Sequence, residues 1–374
     1  MNPTTLYNEN NNDNGTVSYP YSPSLNSTVS NSPSHSPSIH SRQSTQESTQ
    51  QNLYDPRFSL MIKGYEATDK ITKTLQGSIW KGCFKKRQFT TTTSRDIVIK
   101  CTSRALHASK STILNGEEIN IEEDVVKEME ILRNLTVNGL TKYIVSYIDF
   151  FYDDFNYFLI MENGGASNMF DFVVKSHSFI LNGSLSIIEW QNVCKTLFFQ
   201  MVSCLDILHN KMNICHLDIS LENMLLKNGE YFYETGKFTY SQQIKFCDFG
   251  LAEYFDLSAN PSFSCNKHVG KESYMAPEVY LKSESFDARK ADSWSLGVIL
   301  FVLMSGAPAY SKPDLKDDKS FQYIVYKQIP LLLQNWGRLH YCNDQILDLL
   351  NKIFVMDPKK RISVEQIRAH PFLL

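Results

Sequence analysis

The absences in this chain exclude whole classes of chemistry. Its 374 residues include eight cysteines, at 83, 101, 194, 204, 215, 247, 265 and 342, yet no two stand as CxxC and no histidine spacing completes a zinc site. That excludes a structural zinc module and leaves reduced, mostly packed thiols of an intracellular protein. No basic-then-apolar leader opens the chain. The longest apolar run, Leu296–Met304 ("LGVILFVLM"), is far shorter than the ~20 residues of a bilayer span, so it reads as a buried core helix. Charge of one sign is missing too. The net charge is −3 with 21% charged residues, which gives no basic field for nucleic acid. Internal repeats are absent. The expectation is a protein of the cytoplasm, or of the nucleus, with no membrane or nucleic-acid partner.

What is present divides unevenly. Residues 1–55 are rich in Asn, Ser and Pro ("NENNNDNG", "NSPSHSPSIHSRQSTQESTQ"). Such a segment buries too little apolar surface to offset ordering entropy, so a disordered tail is expected. Ser22, Ser32 and Ser36 each precede proline there and are candidate phosphorylation sites. From about residue 60 the pattern turns to strands, in "ITKTLQGSIWKGCF", "DIVIKC", "IVSYIDFFY" and "NYFLIMEN". One helix interrupts them, "EEDVVKEMEILRNL", with Val125, Met129, Leu132 and Leu135 on its apolar stripe. After "ENGGASNMF" the chain becomes mostly helical. The length suits two lobes plus a tail, with a ligand cleft between the lobes. The polar stretch between "DIVIKC" and the helix reads as a loose insertion.

Six motifs follow one another in a fixed order: "DIVIK", "HLDISLEN", "CDFG", "MAPE", "DSWSLG" and "DPKKRI". Over residues 60–374 this set resembles the eukaryotic protein kinase family, of serine/threonine type. The closing "HPF" places it loosely with the calcium/calmodulin-kinase-like group. The resemblance implies an α+β, two-lobed fold: a small antiparallel sheet lobe with one main helix (60–161) and a larger helical lobe (162–374). It implies transfer of the γ-phosphate of ATP to Ser/Thr hydroxyls of protein substrates, with Mg²⁺ or Mn²⁺. Such transfer needs metal ions on the triphosphate, charge on its oxygens and an oriented hydroxyl. Asp248 offers a hard carboxylate suited to Mg²⁺. By the resemblance, Asn223 is the second metal ligand, Asp218 takes the hydroxyl's proton and Lys100 holds the α- and β-phosphates. Glu128 is the expected partner of Lys100, with Glu122, Glu123 and Glu130 as alternatives. Ile71 and Ile79 would flank the adenine. Met161, Glu162 and Gly164 would meet its edge through backbone groups, and Asn168 would also contact the nucleotide. Glu278 and Arg361 should form a buried pair, and Asp292 should anchor the catalytic loop's backbone.

The chain departs from the family at four places. The phosphate-covering loop keeps only Gly77 of its three glycines, with Thr72 and Thr74 at the others, and the added Cβ atoms crowd a phosphate. Leu217 stands where most kinases have an arginine that clamps a phosphate on the activation segment. Activity is therefore expected not to depend on such a clamp, although Ser258, Ser262 and Ser264 lie in that segment. Ser220 stands where serine/threonine kinases place a lysine, and Lys271 where they place a threonine. The hydroxyl and the ammonium look exchanged: Lys271 would reach the γ-phosphate and Ser220 would hydrogen-bond Asp218. The alternatives are a solvent-facing Lys271 and, for the whole chain, a pseudokinase scaffold that binds nucleotide without transferring phosphate. Oligomeric state is not legible.

Overall fold

The computed structural model describes residues 55–87, 92–165, 167–229, 237–239, 241–255 and 269–374. The tail serines and Ser258, Ser262 and Ser264 lie outside the described residues.

The chain enters through α1 (Pro56–Ile62), where Asp55 caps the Arg57 amide and Pro56 occupies the first turn. The first lobe is a five-stranded antiparallel sheet in the order β1 (Tyr65–Lys73), β2 (Gly77–Arg87), β3 (Thr92–Ser103), β7 (Asn156–Glu162), β6 (Tyr147–Tyr152). The period-two alternation of strands decides which side chains reach the cleft. Ile97, Ile99 and Cys101 of β3 pack with Phe158 and Ile160 of β7 in the lobe's own small core. Val98, Leu159 and Met161 point the other way and join the large core. Lys100 shares that second face of β3. The β1–β2 register slips between Lys70 and Thr72, a bulge at Ile71, which stays half exposed.

The stretch expected to be a loose insertion is folded. Ser103 caps α2 (Arg104–Ser109), and a hairpin of β4 (Ser111–Leu114) and β5 (Glu117–Asn120) follows. Its two-residue turn is Asn115–Gly116, both at positive φ, which matches the twist of paired strands. His107 and Lys110 then bond Asp124, the N-cap of α3 (Val125–Val137). The buried stripe of α3 is Val125, Glu128, Ile131, Leu132 and Leu135. Met129, expected on that stripe, is only half-buried, and Ile131 takes the deeper position.

The second lobe is helical. It runs from β8 (Ser167–Asn168) and α4 (Met169–Leu181) into α5 (Ile187–Asn210), which starts on a Ser186/Glu189 capping box. Next come β9 (Ile214–Cys215), β10 (Met224–Lys227), β11 (Gln243–Phe246) and β12 (Glu253–Tyr254). Helix α6 (Pro277–Tyr280) precedes α7 (Ala288–Ser305), which is buried on nearly all sides and ends at Gly306 with φ +64°. Helices α8 (Lys319–Val325), α9 (Ile329–Asn335), α10 (Asp344–Ile353) and α11 (Val364–Arg368) complete it. Arg361 grips Glu278 at 2.6 and 2.8 Å, the buried pair expected from the sequence. Among the described residues no helix is long and apolar enough to cross a membrane.

Candidate active site

Lys100 lies opposite Ile79 on β2 and reaches across to α3. Asp124 fixes where α3 starts by accepting from the Val126 and Lys127 amides. Glu128 therefore lies on the first turn, facing inward. Its carboxylate is 2.8 Å from Lys100 Nζ and accepts from the Phe249 amide at 3.3 Å. Lys100 Nζ also meets Asp248 Oδ1 at 3.0 Å and Glu123 Oε2 at 3.5 Å. Of the four candidate glutamates, Glu128 is the buried partner, while Glu122 and Glu130 are exposed. Burial opposes the charge on Lys100, but Asp248, Glu128 and Glu123 together outweigh it and hold the ammonium's pKa well above its usual value. Burial pushes Glu128 up to about 7, against the pull of Lys100. Burial also opposes the charge of Asp248, yet the Lys100 ammonium prevails and lowers its pKa.

Asp248 adopts φ +62°, in the left-handed region that aspartate enters more readily than most non-glycine residues. Leu217 does the same at φ +63°. Asp292 holds that second turn: its two carboxylate oxygens accept from the His216 and Leu217 amides at 2.9 Å each. This is the anchoring expected of Asp292. The side chain of Leu217 is buried in the large core, so no cation faces the activation segment from this position.

Asp218 is bonded from two sides. Asn223 Nδ2 donates to Asp218 Oδ2 at 2.6 Å and to its carbonyl at 3.0 Å, so the amide oxygen of Asn223 is the atom left to face a cation. The Lys271 amide donates to Asp218 Oδ1 at 3.2 Å, and Lys271 Nζ stands 3.3 Å from Oδ2. Lys271 Nζ also donates to Ser220 Oγ at 3.0 Å. Lys271, one of the two residues singled out as an exchange, thus touches both the other, Ser220, and Asp218, with one correction. The bond to Asp218 expected from Ser220 is made by Lys271, and the buried Ser220 hydroxyl accepts from the same ammonium. The reason is reach: a lysine stem spans both groups, whereas a serine hydroxyl sits on a single carbon.

The connector between the lobes is built by close approach. A Cβ on Gly164 would lie 2.8 Å from both Leu225 Cδ1 and Val145 Cγ1, so a larger residue would have to push these side chains aside. Met161 pairs with Val98 and is nearly buried. Glu162 donates its amide to the Ser146 carbonyl, and its carboxylate takes Lys227 at 2.6 Å and Lys245 at 2.8 Å. Only its carbonyl remains as a candidate contact for adenine. Asn168, expected at the nucleotide, is the N-cap of α4: its side-chain oxygen accepts from the Asp171 amide, which leaves its amide nitrogen as the group for such a contact. Gly77 has a packing reason to be glycine, because a Cβ there would lie 2.1 Å from the Cys101 carbonyl oxygen. Gln76, beside it, is buried and donates to the Glu123 carbonyl at 3.2 Å.

Leu225, beside Gly164, and Val98, paired with Met161, were not singled out from the sequence. Their motif neighbours Asn223 and Lys100 were the available signal, at two residues' distance each.

A two-lobed fold with a lysine–glutamate pair, an aspartate at positive φ and an aspartate–asparagine loop facing one cleft is the architecture of a phosphotransferase. The family model described as protein kinase domain matches residues 91–373, and the chain belongs to that family. It is 32% identical over 184 residues to the serine/threonine-protein kinase CHK1 of Saccharomyces cerevisiae, covering 49% of this chain and 32% of that protein. It is 31% identical over 216 residues to the serine/threonine-protein kinase SAPK6 of Oryza sativa subsp. japonica, covering 58% and 51%. It is 29% identical over 262 residues to the serine/threonine-protein kinase DCLK3 of Mus musculus, covering 70% and 29%. The matches thus span from 29% to 51% of these relatives' lengths.

Proposed function

We propose that this chain is an active serine/threonine protein kinase, transferring the γ-phosphate of ATP to hydroxyls of protein substrates. The observation that carries the reading is the contact set of Lys100, Glu128, Asp248, Asp218 and Asn223 around one cleft. A scaffold that had lost transfer would be under no demand to keep all five.

The donor set fits a divalent cation. Asp248 offers a partly exposed carboxylate, and Asn223 turns its amide nitrogen to Asp218, which leaves a hard oxygen. Bound there, Mg²⁺ or Mn²⁺ would neutralise charge on the phosphate oxygens. Lys100 grips the α- and β-phosphates, held in place by Glu128. The carbonyl of Glu162 and the backbone of Gly164 meet the adenine edge, with Ile71, Ile79, Val98 and Leu225 against its faces. Asp218 accepts the proton of the substrate hydroxyl, whose oxygen bonds to the γ-phosphorus as the bond to ADP breaks. Lys271 stabilises the charge on the transferring group from the C-lobe side, and Ser220 steadies its ammonium.

The test is transfer of radiolabel from [γ-³²P]ATP to generic protein substrates with Mg²⁺ or Mn²⁺. Wild type should label serine and threonine, and Asp218→Asn should fall by about 10³-fold. Equal, background-level labelling by the two would leave a nucleotide-binding scaffold as the better reading.

A further inference from the structure

The ammonium of Lys100 has three protons to donate. Three carboxylates stand around it: Glu128 at 2.8 Å, Asp248 at 3.0 Å and Glu123 at 3.5 Å. On the reading proposed above, a phosphate oxygen must also take one of those protons, so one carboxylate must yield. Glu128 is locked, because its side chain is 1% exposed and its other oxygen holds the Phe249 amide. Asp248 is as exposed as Glu123, at 37%, but its contact is shorter and on that reading its carboxylate holds the cation. Glu123 makes the longest contact, is 36% exposed, and precedes α3 rather than lying within it.

We propose that Glu123 competes with the nucleotide's phosphates for Lys100, and so sets nucleotide affinity without taking part in transfer. The inference rests on the kinase reading. The peptide that follows Glu123 is tied at both of its polar groups. Gln76, in the turn between β1 and β2, donates to the Glu123 carbonyl, and the next amide, Asp124, donates to the Gly250 carbonyl at 3.0 Å. The side chain can swing while that peptide stays in place. The carboxylate lies beside the turn that would cover the phosphates, and a Cβ on Gly250 would be 3.3 Å from Glu123 Cγ and 3.4 Å from Asp248 Oδ1. Two negative side chains thus converge where a triphosphate has to enter. Removing one lowers the repulsion and frees one donor of Lys100.

The test is the Kd of ADP, by titration calorimetry with and without Mg²⁺, together with kcat and KM for ATP. Glu123→Gln keeps the backbone carbonyl that Gln76 uses. It should tighten ADP and lower KM for ATP by about two- to fivefold, the range of a partly exposed ion pair, with kcat unchanged. The gain should shrink as salt is raised. Glu123→Asp, with its charge withdrawn by one methylene, should fall between wild type and Glu123→Gln. An unchanged Kd in Glu123→Gln, while Lys100→Met abolishes ADP binding, would overturn the inference and leave the kinase reading intact. Weaker binding seen only with Mg²⁺ would make Glu123 a metal ligand and overturn it too. A wild-type protein that binds no ADP would overturn both.

Discussion

Two lysines face the cleft from opposite lobes, and they are built differently. Lys100 is 7% exposed and surrounded by three carboxylates within the N-lobe and its border. Lys271 is 39% exposed, reaches in from the segment before α6, and touches one carboxylate and one hydroxyl. The first is part of the frame as well as of the chemistry, because a buried charge needs its partners. The second can vary in position, because a half-exposed cation on a flexible stem is cheap to place. On the proposed reading, that difference lets the second ammonium serve the phosphate from residue 271, with a serine at residue 220.

The comparison breaks most visibly if both lysines are removed in turn. Lys100→Met leaves Glu128 and its neighbours without their cation, and should cost about 3–5 kcal/mol in urea unfolding as well as nucleotide binding. Lys271→Met should change stability by about 0–1 kcal/mol. Equal losses from the two would show that burial does not separate them.

A pH series sharpens the same contrast by locating stability in the C-lobe frame. Burial pulls His177 down to about 4, where its Nε2 contacts the Leu303 carbonyl and its ring packs on Trp190. An unfolded histidine takes up its proton near 6.5, so between about 6.5 and 4 the unfolded chain binds more protons. Stability from this residue is complete above that window and falls as pH drops through it, by about 3 kcal/mol in all. His177→Gln should flatten that slope in the urea midpoint. A slope that persists unchanged would assign the acid sensitivity elsewhere.

The smallest effect is expected at the activation segment. Leu217 is buried among apolar side chains, so a phosphate on the segment finds no guanidinium at this position. Replacing Ser258, Ser262 and Ser264 together by Ala should leave kcat where it was. Loss of activity, restored by acidic substitutions, would mean that another cation performs the clamp.

Much of this was legible before any coordinates. The resemblance of their motifs to the protein kinase family named Lys100, Glu128, Asp218, Asn223 and Asp248, and strand alternation puts Lys100 on the face of β3 shared with Val98. The insertion was misjudged as loose because its polar composition outweighed its turn chemistry. The Asn115–Gly116 pair between short strands was the signal, and it went unused. Asn168 could have been read as a cap, since a helix with Asp171 in its first turn follows. Gln76 was out of reach, because a side chain bonded to a distant carbonyl leaves no local pattern. Glu123 was named only as an alternative to Glu128, whereas it stands beside Lys100 together with Glu128. The partner of Ser220 was half legible. The sequence pairs it with Lys271, but which group reaches Asp218 depends on stem lengths in three dimensions.

The central claim is that the ammonium of Lys271 does the work usually done two residues after the catalytic aspartate. The most direct measurement is kcat for phosphoryl transfer in wild type, in Lys271→Thr, and in Lys271→Thr combined with Ser220→Lys. The single variant should lose about 10²-fold in kcat with ADP binding retained, and the double variant should regain most of that loss. Full kcat in Lys271→Thr would contradict the exchange.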